Sequence, residues 1–230
     1  MEIKQSAKWV YQQLFSEIDI QGKKLLDVGG GKAIVGFYYS SELSKYVCVD
    51  TYEGEGNPKE NLDIALRTIG DRKIKNMEIK KMSLKKYYQE NQKNIFDIVL
   101  ISNVLHHIFP LQALFDDVIE YFDLIAKYLK SPGGSLLIIE VLPLNISQVL
   151  FFLNKDKVNF STKKFPSFWT NAIKKTNCFH NITYEYHVPS KLRMFHSIIK
   201  NLKCARLLTS VMSTSGYIIR AQRNENCQAS

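Results

Sequence analysis

Two textures alternate along the chain. Short runs that are apolar almost throughout, bounded by glycine or polar residues, predict buried parallel strands over Lys24–Val28, Tyr46–Asp50 and Phe96–Asn103. A more mixed strand is predicted over Met77–Lys81 and a fifth over Ser135–Val141. Between the strands, apolar positions recur at three- and four-residue steps, the spacing of one helix face. Val10, Leu14 and Ile18 set this period in Ala7–Ile18 and predict a leading helix. The stretch from Lys32 to Leu43, the segment Lys59–Ile69 and the long run from Leu111 to Lys130 predict three more, the last stopped by Pro132–Gly133–Gly134. Val104–Ile108 reads as a loop after the fourth strand.

Strands alternating with helices predict a doubly wound α/β sheet with right-handed crossovers. The carboxyl ends of the five strands then share one edge, which collects Asp27, Asp50, Ser83, Asn103 and Glu140. Beyond Pro143 the texture changes. Leu144–Leu153 is apolar and Asn154–Lys164 polar and basic, so a cap or lid on the substrate side is expected within 143–215. Helices over Phe165–Asn177 and Met194–Lys203 and strands over Ile182–His187 and Gly216–Gln222 complete the reading.

Charge sharpens this picture once it is located. The chain of 230 residues, enough for one domain, carries a formal net charge of +9. Residues 151–206 hold eleven Lys or Arg against two acids, Asp156 and Glu185, while the rest balances at twenty against twenty. All the excess lies in the expected cap, which points to an anionic partner or to a solvated basic face. Cys48, Cys178, Cys204 and Cys227 form no CxxC pair and no metal-ligand spacing, so reduced structural thiols and no metal are expected. No apolar run approaches the roughly 18 residues of a membrane span, and Met1–Gln5 opens no signal-peptide pattern. A cytoplasmic protein is the expectation.

The sharpest chemical signal is Leu25–Leu26–Asp27–Val28–Gly29–Gly30–Gly31. Strand, glycine turn and helix make a nucleotide cradle, because glycine lets backbone N–H groups approach a ligand that a Cβ would obstruct. An acid at the mouth of the turn repels a pyrophosphate and favours a ligand carrying a cation. Asp50 lies nineteen residues beyond Gly31, close to the roughly 20 at which an acid at the second strand's tip binds ribose hydroxyls. Ile34 stands where the NAD fingerprint has its last glycine, which counts against a dehydrogenase.

With these residues in place the chain resembles the class I S-adenosylmethionine-dependent methyltransferases, over roughly Lys23 to Val141 and more loosely to the end. Asp27 to Gly31 are similar to the family's first motif and Asp50 to its ribose-binding acid. Phe96–Val99 running into Asn103–Ile108 is similar to its fourth-strand motif, and Pro132–Ile138 to the turn into strand five. Ala33 replaces a frequent third glycine, and Met82–Ser83 stand where the family often has an acid on the adenine amine. The resemblance implies a Rossmann-like sheet of about seven strands, mostly parallel with an antiparallel last strand, helices on both faces, forming a single domain over 1–230. It implies S-adenosylmethionine as methyl donor, bound by Asp27, Gly29, Gly30, Gly31, Asp50, Thr51, Tyr52, Ser83 and Asn103, with S-adenosylhomocysteine as product.

In-line transfer from a sulfonium asks the protein to hold the acceptor in place and remove its proton where it has one. His107 after strand four is the candidate base, ahead of its neighbour His106 and of His187 and His196. Glu140 is read as orienting an acceptor or making a structural salt bridge, and Tyr52 as stacking on adenine. Tyr38 and Tyr39, and Phe165, Phe168 and Trp169 beside Lys163 and Lys164, are read as core aromatics or as pocket walls. The favoured function is methylation of an oxygen or nitrogen on a small anionic molecule. RNA or protein methylation is the alternative, although Ser102–Leu105 lacks the Asn–Pro–Pro–aromatic pattern of base-amine methylation and no Pro–Cys dipeptide occurs. A reading from another class is a non-catalytic, cofactor-binding partner subunit.

Overall fold

The computed structural model describes residues 11–53, 58–93, 95–110, 112–141, 164–187, 216–225 and 227. Its frame is a seven-stranded sheet. In chain order the elements are β1 (Lys24–Val28), α1 (Ile34–Tyr39), β2 (Lys45–Asp50), α2 (Pro58–Arg72), β3 (Met77–Lys81) and α3 (Leu84–Glu90). They continue with β4 (Ile98–Ser102), α4 (Leu105–Ile108), α5 (Phe115–Tyr128), β5 (Ser135–Val141), α6 (Pro166–Lys175), β6 (Phe179–His187) and β7 (Gly216–Arg223). The strand order is β3-β2-β1-β4-β5-β7-β6, with the first five parallel and β7 antiparallel to both β5 and β6. The expected architecture is therefore present, including the antiparallel last strand.

The uniformly apolar strands follow from burial on both faces. Leu26, Val28, Val99, Ile101, Leu136 and Ile138 pack into one core with residues of α3, α5 and α6. Their neighbours Leu25, Ile98, Leu100, Leu137 and Ile139 point the other way, onto α1, Ala65 of α2 and the segment holding Leu14 and Phe15. Alternate side chains of one strand serve two cores, so a polar residue in these runs would be buried on whichever side it faced. Arg220 of β7 ties the chain start to the sheet, donating to the Gln13 carbonyl at 2.7 Å and to Glu185 at 2.9 Å.

Several boundaries differ from expectation. Helix α1 is shorter than Lys32–Leu43, because Ala33 caps it with a left-handed φ of 54°. Helix α3 is an addition to the expected elements: Ser83 caps it, accepting from the Lys86 N–H at 3.2 Å, and Leu84 and Tyr87 bury its inner face. Val104–Ile108 contains a helical turn rather than only a loop. Strand β6 begins three residues earlier than expected, at Phe179. Residues 11–14 are helical, within the expected leading helix. The helix expected over Met194–Lys203 and most of the expected cap lie outside the described residues.

The reduced-thiol expectation is corrected: Cys178 and Cys227 form a disulfide, with Cα atoms 4.7 Å apart. They stand 49 residues apart in sequence, and the pairing of Phe179 with Arg223 draws the start of β6 to the segment after β7. No spacing rule reports such a contact. Closing a loop of that length contributes about 4 kcal/mol in the chain-entropy picture. Cys48 is free and buried.

Trp169 of α6 is fully buried, its ring 5.0 Å from Phe168 and 6.1 Å from Phe109. Trp169→Ala is expected to lower the unfolding free energy by about 3–5 kcal/mol, read from urea midpoints. Peptide mapping without reductant should recover the Cys178 and Cys227 peptides linked, and their separate recovery would contradict this pairing.

Candidate active site

The glycine turn after β1 is held by close packing. Gly29 has φ 72° and donates its N–H to the Val49 carbonyl at 2.8 Å, and a Cβ there would lie 2.5 Å from the Val104 side chain. Any other residue would force apart the turn and the chain leaving β4. Gly30 roofs the carboxylate of Asp27, which a Cβ would approach to 2.6 Å. The turn is thus pressed onto an acid from above.

Asp27 sits beneath the turn rather than at its mouth, with 2% exposure. Its Oδ2 accepts from the Tyr46 hydroxyl at 2.5 Å, while Oδ1 is buried without a hydrogen-bond partner. Burial pushes its pKa up to about 7, opposed by the Tyr46 hydrogen bond and reinforced by the charge of Asp50.

Asp50, at the tip of β2, braces the turn from the side. Its Oδ2 accepts from the Gly31 N–H at 3.0 Å and its Oδ1 from the Tyr52 N–H at 2.7 Å. Tyr52 takes a left-handed φ of 53°, which folds its ring back under the turn, where its hydroxyl donates to the Gly31 carbonyl at 2.9 Å. The expectation that this ring stacks on adenine is therefore corrected, since Tyr52 is 5% exposed and bonded to the turn.

Beside Asp50 opens a cavity of about 700 Å³. Of the residues expected to bind the cofactor, Gly29, Asp50, Thr51 and Ser83 line it. Asp27, Gly30, Gly31, Tyr52 and Asn103 do not, and neither does His107. Asn103 has φ 53° and is exposed, its N–H donating to the Ile139 carbonyl at 2.8 Å. Much of the remaining wall was not anticipated: Leu84 and Tyr88 of α3, Val104 and Ile108 around α4, and Asp117, Glu120, Tyr121 and Leu124 of α5. Leu84, Tyr87 and Tyr88 behind the capping Ser83 were the available signal for the α3 wall.

A second buried acid meets the start of α4. Glu140, near the end of β5, accepts from the Leu105 N–H at 2.7 Å and pairs with His106 Nδ1 at 2.7 Å. This fixes the orientation of His106, whose ring centroid is 4.1 Å from that of the exposed His107. Tyr39, Phe168 and Trp169 serve the core, Tyr39 packing edge-on to Phe15 at 5.0 Å and Phe168 to Phe115 at 5.4 Å, whereas Phe165 is exposed. Lys164 Nζ stands 4.7 Å above the Phe168 ring. Among the described residues no group of three His, Cys, Asp or Glu could hold a metal ion, and no helix is long and apolar enough to cross a membrane.

The buried Asp27 makes stability depend on pH with a definite sign. Its folded pKa of about 7 lies above the usual carboxylate value, so the folded chain holds this proton more tightly than the unfolded one. The stabilisation is complete below about pH 4 and is lost as pH rises through about 7. Asp27→Asn, which mimics the protonated acid, should match the wild type near about pH 4 and become the more stable of the two by about pH 8. Thermal midpoints across that range check this, and a difference that does not change with pH would contradict it.

No protein-family model and no curated protein sequence matches the chain. Solved structures do. Phosphoethanolamine N-methyltransferase 2 of Haemonchus contortus, in complex with phosphomonomethylethanolamine and S-adenosylhomocysteine, superposes with a TM-score of 0.61 at 17% identity over 94% of this chain. This chain spans about half of that one, 52%. A SAM-dependent methyltransferase from Archaeoglobus fulgidus gives 0.64 at 14% identity, covering 95% of this chain and 94% of the other. The cyclopropane synthase MmaA2 of Mycobacterium tuberculosis gives 0.66 at 12% identity, covering 97% and 86%. The sheet order, the braced glycine turn and these superpositions together establish that the chain has the fold of the class I S-adenosylmethionine-dependent methyltransferases.

Proposed function

We propose that the chain transfers a methyl group from S-adenosylmethionine to an oxygen or nitrogen of a small, anionic acceptor. The observation that carries this reading is the Asp50 carboxylate, bonded to the glycine turn and lining the cavity. The residues present fit the cofactor. Asp50 suits a ribose diol, since a carboxylate accepts from both hydroxyls. The apolar walls around Val104 and Leu84 suit the base. Asp27 beneath the turn supplies negative charge close to where the methionyl cation would be held.

Bound there, S-adenosylmethionine supplies an electrophilic methyl group on a positively charged sulfur. The chain's own residues then position the acceptor and move its proton. His107, beside the Glu140-oriented His106, is the base in this reading and takes the proton on an imidazole nitrogen. Anionic acceptors are favoured by the eleven basic residues against two acids in 151–206. The Haemonchus enzyme binds phosphomonomethylethanolamine, a small phosphate-bearing amine.

Calorimetry with S-adenosylhomocysteine should show binding by the wild type and a loss of about tenfold or more in Asp50→Ala. Formation of S-adenosylhomocysteine with phosphomonomethylethanolamine and related anionic amines tests turnover, where His107→Ala should cost about 10²–10⁴ in kcat. Absence of binding by the wild type would overturn the cofactor assignment. Binding without turnover of any acceptor would favour a non-catalytic partner subunit.

A further inference from the structure

The helical turn α4 is fastened from two directions. Val104, just before it, packs so closely on the glycine turn that a Cβ on Gly29 would lie 2.5 Å from its side chain. Leu105 donates its N–H to Glu140 Oε1 at 2.7 Å, which ties the same turn to the end of β5. Val104 and Ile108 also line the cavity. The backbone that carries His106 and His107 therefore has a fixed place relative to both the glycine turn and the cavity.

A fixed backbone does not by itself fix an exposed side chain. His107 is exposed, and a free imidazole on a helix surface changes rotamer within nanoseconds. Successive side chains on a helix do not face each other. The rings of His106 and His107 nevertheless stand 4.1 Å apart, centroid to centroid, inclined at 40°. The position of His106 has a definite cause. Its Nδ1 lies 2.7 Å from Glu140 Oε2, and its side chain is 11% exposed.

Glu140 holds that ring firmly. It is buried with both oxygens engaged, so turning it away would leave a buried carboxylate oxygen unpaired. From β7, Tyr217 stands opposite Glu140 in the sheet, but its hydroxyl donates to the Lys164 carbonyl at 2.8 Å. Because a carboxylate only accepts, the His106 ring presents its proton at Nδ1. Resting on the reading of His107 as the base, we propose that Glu140 and His106 are positioning residues: Glu140 holds the His106 ring, and that ring holds His107 in the single orientation in which it takes the acceptor's proton. Misplacing a reacting group by about 1 Å costs on the order of 100-fold in rate, so an ordered imidazole matters more here than an exposed one.

Two measurements on the full chain test this. Ring NMR of the protein without ligand, at about pH 8 where an ordinary imidazole is neutral, reads the histidines directly. His106 should carry its proton on Nδ1, and His107 should show one dominant χ1 rotamer. In H106N the side-chain amide still donates to Glu140 but the ring is gone, so His107 should average over rotamers while the thermal midpoint stays close to that of the wild type. Averaging of His107 already in the wild type, or no change in H106N, would overturn the inference. In turnover of S-adenosylmethionine with phosphomonomethylethanolamine and related anionic amines, H106N should lose about 10- to 100-fold in kcat with the KM for S-adenosylmethionine unchanged. The double variant H106N/H107A should be no slower than His107→Ala, because a residue that acts only through His107 then has nothing to act on. Losses that add, or an unimpaired H106N beside a slow His107→Ala, would overturn this inference alone. A wild type without turnover, or a His107→Ala variant as fast as the wild type, would overturn the reading of His107 as the base, and this inference with it.

Discussion

The glycine turn after β1 is bonded to the tip of β2 at three points, and the ligand edge is built outward from that junction. Gly29 donates to the Val49 carbonyl, Gly31 to Asp50, and the Tyr52 hydroxyl returns to the Gly31 carbonyl. All three depend on the parallel register that sets Val28 opposite Val49. A slip of one residue would send the Asp50 side chain to the opposite face and leave the Gly31 N–H without its carboxylate. Hydrogen bonds to a charged group contribute roughly 1.5–3 kcal/mol each, so the register is specified by polar contacts at the tip as well as by the apolar runs behind it.

Two buried carboxylates flank this junction, and they are compensated differently. Glu140 has both oxygens engaged, by the Leu105 N–H and by His106, so it orders the start of α4 and the ring beside it. Asp27 is equally buried, yet only one of its oxygens has a partner, and its pKa rises to about 7. Isolation in a low-dielectric pocket disfavours charge unless hydrogen bonds replace water. At α4, Val104 and Ile108 line the cavity while His106 pairs with Glu140.

Much of this was legible in the chain because parallel strands buried on both faces must be apolar throughout. Lys24–Val28, Met77–Lys81 and Ser135–Val141 are strands within the bounds that their composition implied. The spacing from Gly31 singled out Asp50, and the structure bonds Asp50 to Gly31 itself, a contact that the spacing did not announce. Side-chain direction was not legible. Tyr52 was expected on the ligand and lies beneath the turn, because one left-handed φ reverses where its ring points. His106 was ranked behind His107, yet it is the one that Glu140 orients across 34 residues of sequence.

The sequence by itself determined the sheet, its helical layers and the edge on which chemistry is collected, since each follows from local periodicity and turn residues. Only the tertiary structure decided what that edge contains. It set the Tyr46 hydroxyl against the buried Asp27, paired Cys178 with Cys227, and brought the Asp117–Leu124 face of α5 onto the cavity beside Ser83. The physical reason is the same in each case. These contacts join residues far apart in the chain, and periodicity records which face a residue takes but not which neighbour that face will meet.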